Sequence, residues 1–336
     1  MNTPSRFGNG ALSKDFELMD ALPIFLFDRS AAQARLLLQD RDRLELLHRM
    51  STNDLRRLQV GQGCSTVLTT ATARIIDRVL IYHRGETALM IANYPEIVIN
   101  WLRRHVFWQD RFKIEDQSAA LGQLELHGVG AAALVEQALS GASSLALHHF
   151  LEDSSRQLLV ARTFPLLAEG FLVVAPYAQL EQLRTAWSAE RRVQRADDSI
   201  YERLRIAAGL PAAYHELTED YVPLEAGLWD SVSFSKGCYI GQEIIARMES
   251  RNRLAKTLVK LQLSALVPPG TPIQAHEETV GVLTSCAEPL VPQADVAAIG
   301  LGFVKPAFAI PGSLLRVGEA RAEVVPAALI AARESE

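Results

Sequence analysis

The run Ser233-Phe234-Ser235-Lys236-Gly237-Cys238-Tyr239-Ile240-Gly241-Gln242-Glu243 holds one of only three cysteines in a chain of 336 residues. Val232 and Phe234 read as the end of a short strand. Ile244, Ile245 and Met248 recur at helical spacing, which predicts a helix that starts near Ile240 or Gly241. Cys238 is thereby placed in a strand-to-helix turn ahead of a helix N-terminus, where unpaired N–H groups carry partial positive charge. Such a position favours a thiolate, more so with Lys236 two residues away. Gly237 and Gly241 allow backbone angles or close approaches that a side chain would block. The plainer reading is a small buried apolar residue, as free cysteines often are.

The elements that must hold this run are legible as alternating and periodic segments. Ala34 to Leu38 reads as a strand, and Asp40 can cap a helix over about Arg41 to Met50 with Leu44 and Leu47 inward. Ser51-Thr52-Asn53-Asp54-Leu55 is a turn-rich break. Thr66–Thr70, Ile75–Tyr82 and Thr87–Ala92 read as strands, the last two joined by a hairpin at Arg84-Gly85-Glu86. Pro95 opens an amphipathic helix through Trp101 and Val106. Strands are expected at 112–115, 121–127, 158–161 and 170–174, with helices at 131–139 and 177–187. Ser199-Ile200-Tyr201-Glu202 is a capping box for a helix that ends at Gly209. Beyond it, a strand over 253–263 and short strands near 280–285, 296–303 and 314–317, broken by Pro-Gly turns, predict a small barrel or sandwich.

Composition bounds the rest. Hydrophobic residues at 49% and charged residues at 22% are ordinary for a globular protein of two or three domains. A net charge of −5 argues against a dominant contact with nucleic-acid phosphates. The local basic group Arg251, Arg253 and Lys256 reads as solvated surface. Cys64, Cys238 and Cys286 are too far apart for a zinc or cluster motif, so no metal is expected, and free thiols suit a reducing, cytoplasmic setting. Adjacent His148 and His149 read as plain surface. Gly128-Val129-Gly130 lacks the Gly-Lys-Ser/Thr context of a phosphate loop. No apolar run is long enough for a membrane span, and Met1–Asp20 resembles neither a secretory signal nor a transit peptide.

Lys236-Gly237-Cys238-Tyr239-Ile240-Gly241-Gln242-Glu243 resembles, residue for residue, the signature of the YgfZ-like proteins. These belong to the folate-binding superfamily of the glycine-cleavage T-protein, or aminomethyltransferase. Leu204-Arg205-Ile206-Ala207-Ala208-Gly209-Leu210-Pro211 and Pro223-Leu224-Glu225-Ala226-Gly227-Leu228 are similar to two further superfamily runs, and Thr52-Asn53-Asp54 to a third. The resemblance spans about Leu36 to about Val317. It implies an α+β, T-protein-like fold of two antiparallel α+β lobes plus a small C-terminal β-barrel. A flexible tail would cover 1–22, and a folate-binding region 23–254. Its two lobes can interleave, as about 23–120 with 195–254, and 121–194; the barrel would cover 255–325.

The resemblance also implies a function: binding of tetrahydrofolate in support of the assembly or repair of iron–sulfur enzymes, tRNA-modifying ones included, with Cys238 as the working residue. The partners would be folate and client iron–sulfur proteins, with no membrane and no direct nucleic acid. A folate needs a carboxylate for its pterin edge, aromatic walls, and a cation for its glutamate tail. Arg205 is the candidate for the tail, against a structural ion pair as its plainer reading. Trp229 and Tyr239 are candidate walls, and Glu169 lies in a segment similar to the pterin-binding acid segment. Lys236 and Gln242 complete the candidate set through the signature. Two departures from the superfamily stand out. Ala73 replaces the glycine of a Gly-Arg-Ile segment, and the aspartate of catalytic T-proteins is absent after Asn93, where Glu96 is the nearest acid. The second argues against the alternative of a folate-dependent aminomethyl transferase. A module acting on tRNA directly is disfavoured by the acidic balance.

Overall fold

The computed structural model describes residues 22–251 and 253–327. The tail expected over 1–22 therefore falls almost wholly outside the described residues. Within them, seventeen strands fall into three sheets. One has five strands in the order β3(Gly63–Thr69), β4(Ile75–His83), β5(Ala88–Ala92), β2(Ala34–Gln39), β6(Lys113–Asp116). The second has six, in the order β11(Val193–Ala196), β1(Ile24–Asp28), β7(Leu121–His127), β10(Gly170–Pro176), β9(Leu158–Arg162), β8(Phe150–Asp153). The third is a closed antiparallel barrel of β12(Thr257–Leu263), β15(Ala298–Val304), β14(Glu278–Ala287), β13(Pro272–Ala275), β16(Leu314–Val317) and β17(Ala320–Val325). The fold is mixed α+β with a six-stranded barrel at its C-terminal end, as the sequence implied.

The two open sheets pack face to face, and period-two alternation explains how. On β4, Val79 and Ile81 join the core under helices α1(Arg43–Met50) and α2(Pro95–Arg104), whereas Leu80 and Tyr82 face the other sheet. On β10, Phe171 and Val173 pack under α3(Ala131–Ala138) and α4(Tyr177–Ser188), whereas Leu172 and Val174 face the seam. Each sheet is thus covered by helices outside and by its fellow inside, which buries every residue of β5.

Three expectations about the elements need correction. Ile24–Asp28 was grouped with the first lobe. It lies in the second sheet, antiparallel to β7 and parallel to β11, because the return strand 193–196 pairs with it. Helix α5(Asp198–Ala208) is capped by Asp197, whose carboxylate accepts from the N–H groups of Ser199 and Ile200, and not by Ser199. The short strand expected at Val232–Phe234 is a loop after the 3-10 turn Trp229–Ser231.

The barrel is joined to the lobes by a shared apolar cluster that includes Val67, Leu228, Ile299 and Phe303, with Tyr221 stacked on Phe303 at 3.5 Å. A buried polar joint lies beside it. Arg205 of α5 donates to Glu202 at 2.6 Å, Glu216 at 2.8 Å and Ser285 at 2.6 Å, and both Arg205 and Glu216 are 0% exposed.

Candidate functional site

The cysteine loop is assembled from the edge of the first sheet outward. Ser51–Asn53 run along β3: the Thr52 N–H donates to Val67 O at 3.0 Å, and Val67 N–H donates to the Thr52 hydroxyl at 3.0 Å. Residues 230–236 lie over that segment. Ser233 N–H donates to Thr52 O at 2.9 Å, the Thr52 hydroxyl to Ser231 O at 2.6 Å, and the Asn53 amide to Asp230 O at 3.1 Å. The Thr-Asn-Asp turn is therefore the seat of the signature loop, a role that its spacing did not disclose.

Lys236 fastens the loop. Its buried ammonium donates to the carbonyls of His48 (2.5 Å), Ser51 (2.7 Å) and Asn53 (2.7 Å), at and just beyond the C-terminus of α1. Burial pushes its pKa down to about 8. The expectation that Lys236 activates Cys238 is corrected: its three donors are all committed to backbone carbonyls. Gly241 caps α6(Gln242–Ser250) at φ +85, and a Cβ there would come within 2.9 Å of Ala73 Cα and Thr70 O. Ala73, itself at φ +60 and fully buried, meets that glycine, so its turn is filled by the chain's own backbone. Gly237, in contrast, has nothing within 4 Å of a built Cβ, so steric room does not require a glycine there.

Cys238 is exposed, three residues ahead of the helix cap. It lines a groove of about 280 Å³ with Arg49, Met50, His105, Phe107, Tyr239 and Ile240. Arg49 pairs with Asp110 at 2.7 Å and lies 5.2 Å from the Phe107 ring. His105 Nδ1 lies 2.8 Å from Trp101 O. On the same turn, Trp108 is 95% exposed. The groove opens on the helix-covered face of the first sheet. Tyr239 is buried in the cluster behind it, next to Ile245 and half-buried Trp229, and makes a wall of that cluster.

A second site lies on the opposite face of the same sheet, in the seam. Gln123, Glu125 and His127 alternate along β7 on its inner side. His127 Nδ1 accepts the Leu166 N–H at 3.3 Å, which leaves Nε2 to donate to Glu125 Oε2 at 3.0 Å. Gln123 donates to Glu125 Oε1 at 3.0 Å and to Gln33 at 2.8 Å; Gln33 in turn donates to Asn93 at 3.1 Å. Burial works to raise the Glu125 pKa, yet the hydrogen bonds from His127 and Gln123 and the charge of Arg29 carry it below the usual carboxylate value. Asn93 closes the chain on Asp77 at 2.7 Å, and burial lifts that carboxyl to about 6.

Facing these groups, Arg78 of β4 lies 5.3 Å from the Phe164 ring and feels the charges of Asp230 and Glu125, with no ion pair of its own among the described residues. His148 stands 4.8 Å from the same ring, and both of its nitrogens lack a hydrogen-bond partner, as do the Tyr82 hydroxyl and Gln123 Oε1. Burial and the Arg78 charge push His148 down to about 4. His148 is only 7% exposed, which corrects its reading as plain surface. Buried polar atoms without partners carry a desolvation cost that a ligand or water would relieve.

The other sequence candidates go elsewhere. Arg205 is saturated within the lobe–barrel joint, so its plainer reading, a structural ion pair, is the one observed. Glu169 caps helix α3, its carboxylate accepting the Ala132 N–H at 2.7 Å. Gln242 is the first residue of α6 and does not line the groove of Cys238. Sequence reasoning missed Arg78, Gln123, Glu125 and His127. The available signal was the polar alternation of Gln123, Glu125 and His127 along a strand whose sheet is buried on both faces.

The model of the GCVT N-terminal domain matches residues 24–236, more than half of the chain. The chain belongs to the GCVT family. A relative from Arabidopsis thaliana, named "Putative transferase At1g60990, chloroplastic", is 31% identical over 287 residues, covering 83% of this chain and 65% of its own length. An aminomethyltransferase of Rubrobacter xylanophilus is 31% identical over 271 residues, covering 77% of this chain and 70% of the relative. The chain thus spans a little under two thirds of the Arabidopsis protein. The crystal structure of the glycine cleavage system aminomethyltransferase T from Bartonella henselae superposes with a TM-score of 0.81 at 19% identity, covering 94% of this chain and 88% of that one, which establishes the GCVT fold. Among the described residues no helix is long and apolar enough to cross a membrane, and no three His, Cys, Asp or Glu side chains gather to hold a metal.

Proposed function

We propose that this GCVT-family chain binds a reduced folate in the seam between its two open sheets. In this reading it serves as an accessory protein of the YgfZ-like branch, supporting iron–sulfur enzymes, tRNA-modifying ones included, through Cys238. The observation that carries the folate reading is the group of unsatisfied polar atoms in the seam: His148, Tyr82 and Gln123 around an Arg78 without a carboxylate partner.

The residues present fit the ligand. A pterin edge offers parallel N–H donors, and Glu125 is a buried carboxylate with acceptor capacity left beside His127 and Gln123. Phe164 and Tyr201 supply aromatic surface, the latter under the Arg29 guanidinium at 3.8 Å. Arg78 would meet the ligand's carbonyl or carboxylate oxygens. Bound tetrahydrofolate would bring a one-carbon-carrying diamine to the seam; the chain's own residues orient it and exclude water. The accessory role rests on the signature around Cys238 and on that thiol's exposure in a groove beside aromatic surface.

Calorimetry with tetrahydrofolate on the purified protein tests the first half. Absence of binding at micromolar to millimolar folate would sink it. Cys238→Ala should leave folate affinity and stability unchanged and abolish rescue of iron–sulfur enzyme activity in cells that lack the protein, and full rescue would make the thiol mere surface. The name of the Rubrobacter relative favours a second reading, aminomethyl transfer. Helix α2, which follows Asn93, offers only exposed Glu96 in place of the expected aspartate. Turnover with an aminomethylated carrier would reverse the order of the two.

A further inference from the structure

A separate cavity of about 580 Å³ lies where α5, the barrel and the 288–294 loop meet. Its floor is apolar, formed by Leu167, Leu204, Leu290 and Ile299 among others. Its roof is pinned. The Arg203 guanidinium donates to Glu288 O at 3.0 Å and Pro289 O at 2.7 Å, which holds the start of the loop against α5. Gln262 closes the rim by donating to Gln293 at 3.0 Å. The volume is in the range that takes small organic ligands.

Among the described residues, one charged side chain faces this space. On β12, Val259, Leu261 and Leu263 point into the barrel core, so Lys260 and Gln262 point outward toward the cavity. The Lys260 ammonium donates to Ala207 O at 3.0 Å, in the last turn of α5, and no carboxylate lies within ion-pair distance among the described residues. Desolvation lowers its pKa. An ammonium has three donors. One is used here, which leaves two for an occupant.

We propose that this cavity binds small amphipathic organic carboxylates, with the carboxylate on Lys260 and the hydrocarbon or aromatic body on the apolar floor. The argument is charge complementarity: one cation, without its counter-charge, at the wall of a roofed apolar cavity selects a single anionic head on an apolar tail. A doubly charged, strongly hydrated ion such as inorganic phosphate gains nothing from that floor. The site is independent of the seam, since its lining residues include none of Arg78, Glu125, His127 or His148.

The test is calorimetric titration of the full chain with octanoate and with octanamide, its uncharged counterpart. Octanoate should bind at least tenfold more tightly than octanamide, and inorganic phosphate should not compete. Lys260→Gln should weaken octanoate at least tenfold and leave octanamide unchanged. Lys260→Arg should keep octanoate affinity within about threefold, and both variants should unfold at the wild-type temperature within a few degrees. Equal binding of octanoate and octanamide, or no effect of Lys260→Gln in a folded variant, overturns the proposal. So does displacement of octanoate by tetrahydrofolate, because the cavity would then belong to the folate site.

Discussion

Two arginines, buried Arg205 and half-buried Arg78, stand in contrast in this molecule. Arg205 meets Glu202, Glu216 and Ser285 with its donors and joins α5 to the barrel. Arg78 faces the seam with an aromatic ring, distant carboxylates and neighbours whose polar atoms have no partners. Both are arginines in a strand- or helix-borne pattern of apolar residues, but Arg205 is fully buried whereas Arg78 keeps part of its surface exposed. The difference is saturation. A guanidinium whose donors are filled by the chain holds the fold, whereas one whose surroundings are left unfilled is arranged for something the chain does not supply. The resemblance singled out Arg205 because its sequence run was recognisable; its hydrogen bonds spend it in the joint, and the folate site proposed above is built on Arg78 instead.

The sharpest way to break this comparison is to remove both arginines in turn. Arg205→Leu leaves the fully buried Glu216 carboxylate without its cation and should cost about 3–5 kcal/mol of unfolding free energy in a urea titration. If it costs less than 1 kcal/mol, the joint is not what holds the barrel to the lobes. His148 gives the next largest effect. Its folded pKa of about 4 lies below the ordinary value of 6.5, so the unfolded chain binds more protons between the two. The stability it contributes is present above pH 6.5 and is lost as pH falls toward 4. Wild type should therefore lose about 3 kcal/mol more than His148→Gln over that window. Asp77, lifted to about 6, works in the opposite direction and cancels in the comparison of the two proteins. Parallel pH profiles would mean that His148 is hydrated and not isolated.

Arg78→Leu should change stability by under about 1 kcal/mol, because no ion pair is broken, while it weakens tetrahydrofolate at least tenfold, or about 1.4 kcal/mol. A stability loss as large as that of Arg205→Leu would erase the distinction. The smallest effect belongs to Glu169→Ala. Loss of a helix cap should cost about 1 kcal/mol and leave folate affinity untouched. Weakened folate binding in that variant would restore Glu169 to the site.

Much of the architecture was legible along the chain. Leu121–His127 has the expected bounds as a strand, and Pro95 opens its helix as expected, because a buried strand and an amphipathic helix write their periods into adjacent residues. The short strands 150–153, 193–196 and 320–325 were not read, since four to six residues carry too little alternation without their partners. The site divided in the same way. Cys238 was found from its loop and lies exposed in a groove. Its supposed activator Lys236 turned inward, because three carbonyls at and beyond the end of α1 compete successfully for one ammonium.

The sequence by itself determined the family, the class of fold, the barrel and the position of the signature cysteine, all of which rest on local pattern and recognisable runs. Only the tertiary structure decided that Ile24–Asp28 crosses to the second sheet and that Cys238 and the polar seam lie on opposite faces of the first. It also decided which arginine is spent and which is free. The reason is physical: a hydrogen bond between Arg205 and Ser285, or its absence around Arg78, joins residues tens of positions apart, and no local spacing records whether a buried donor has found its acceptor.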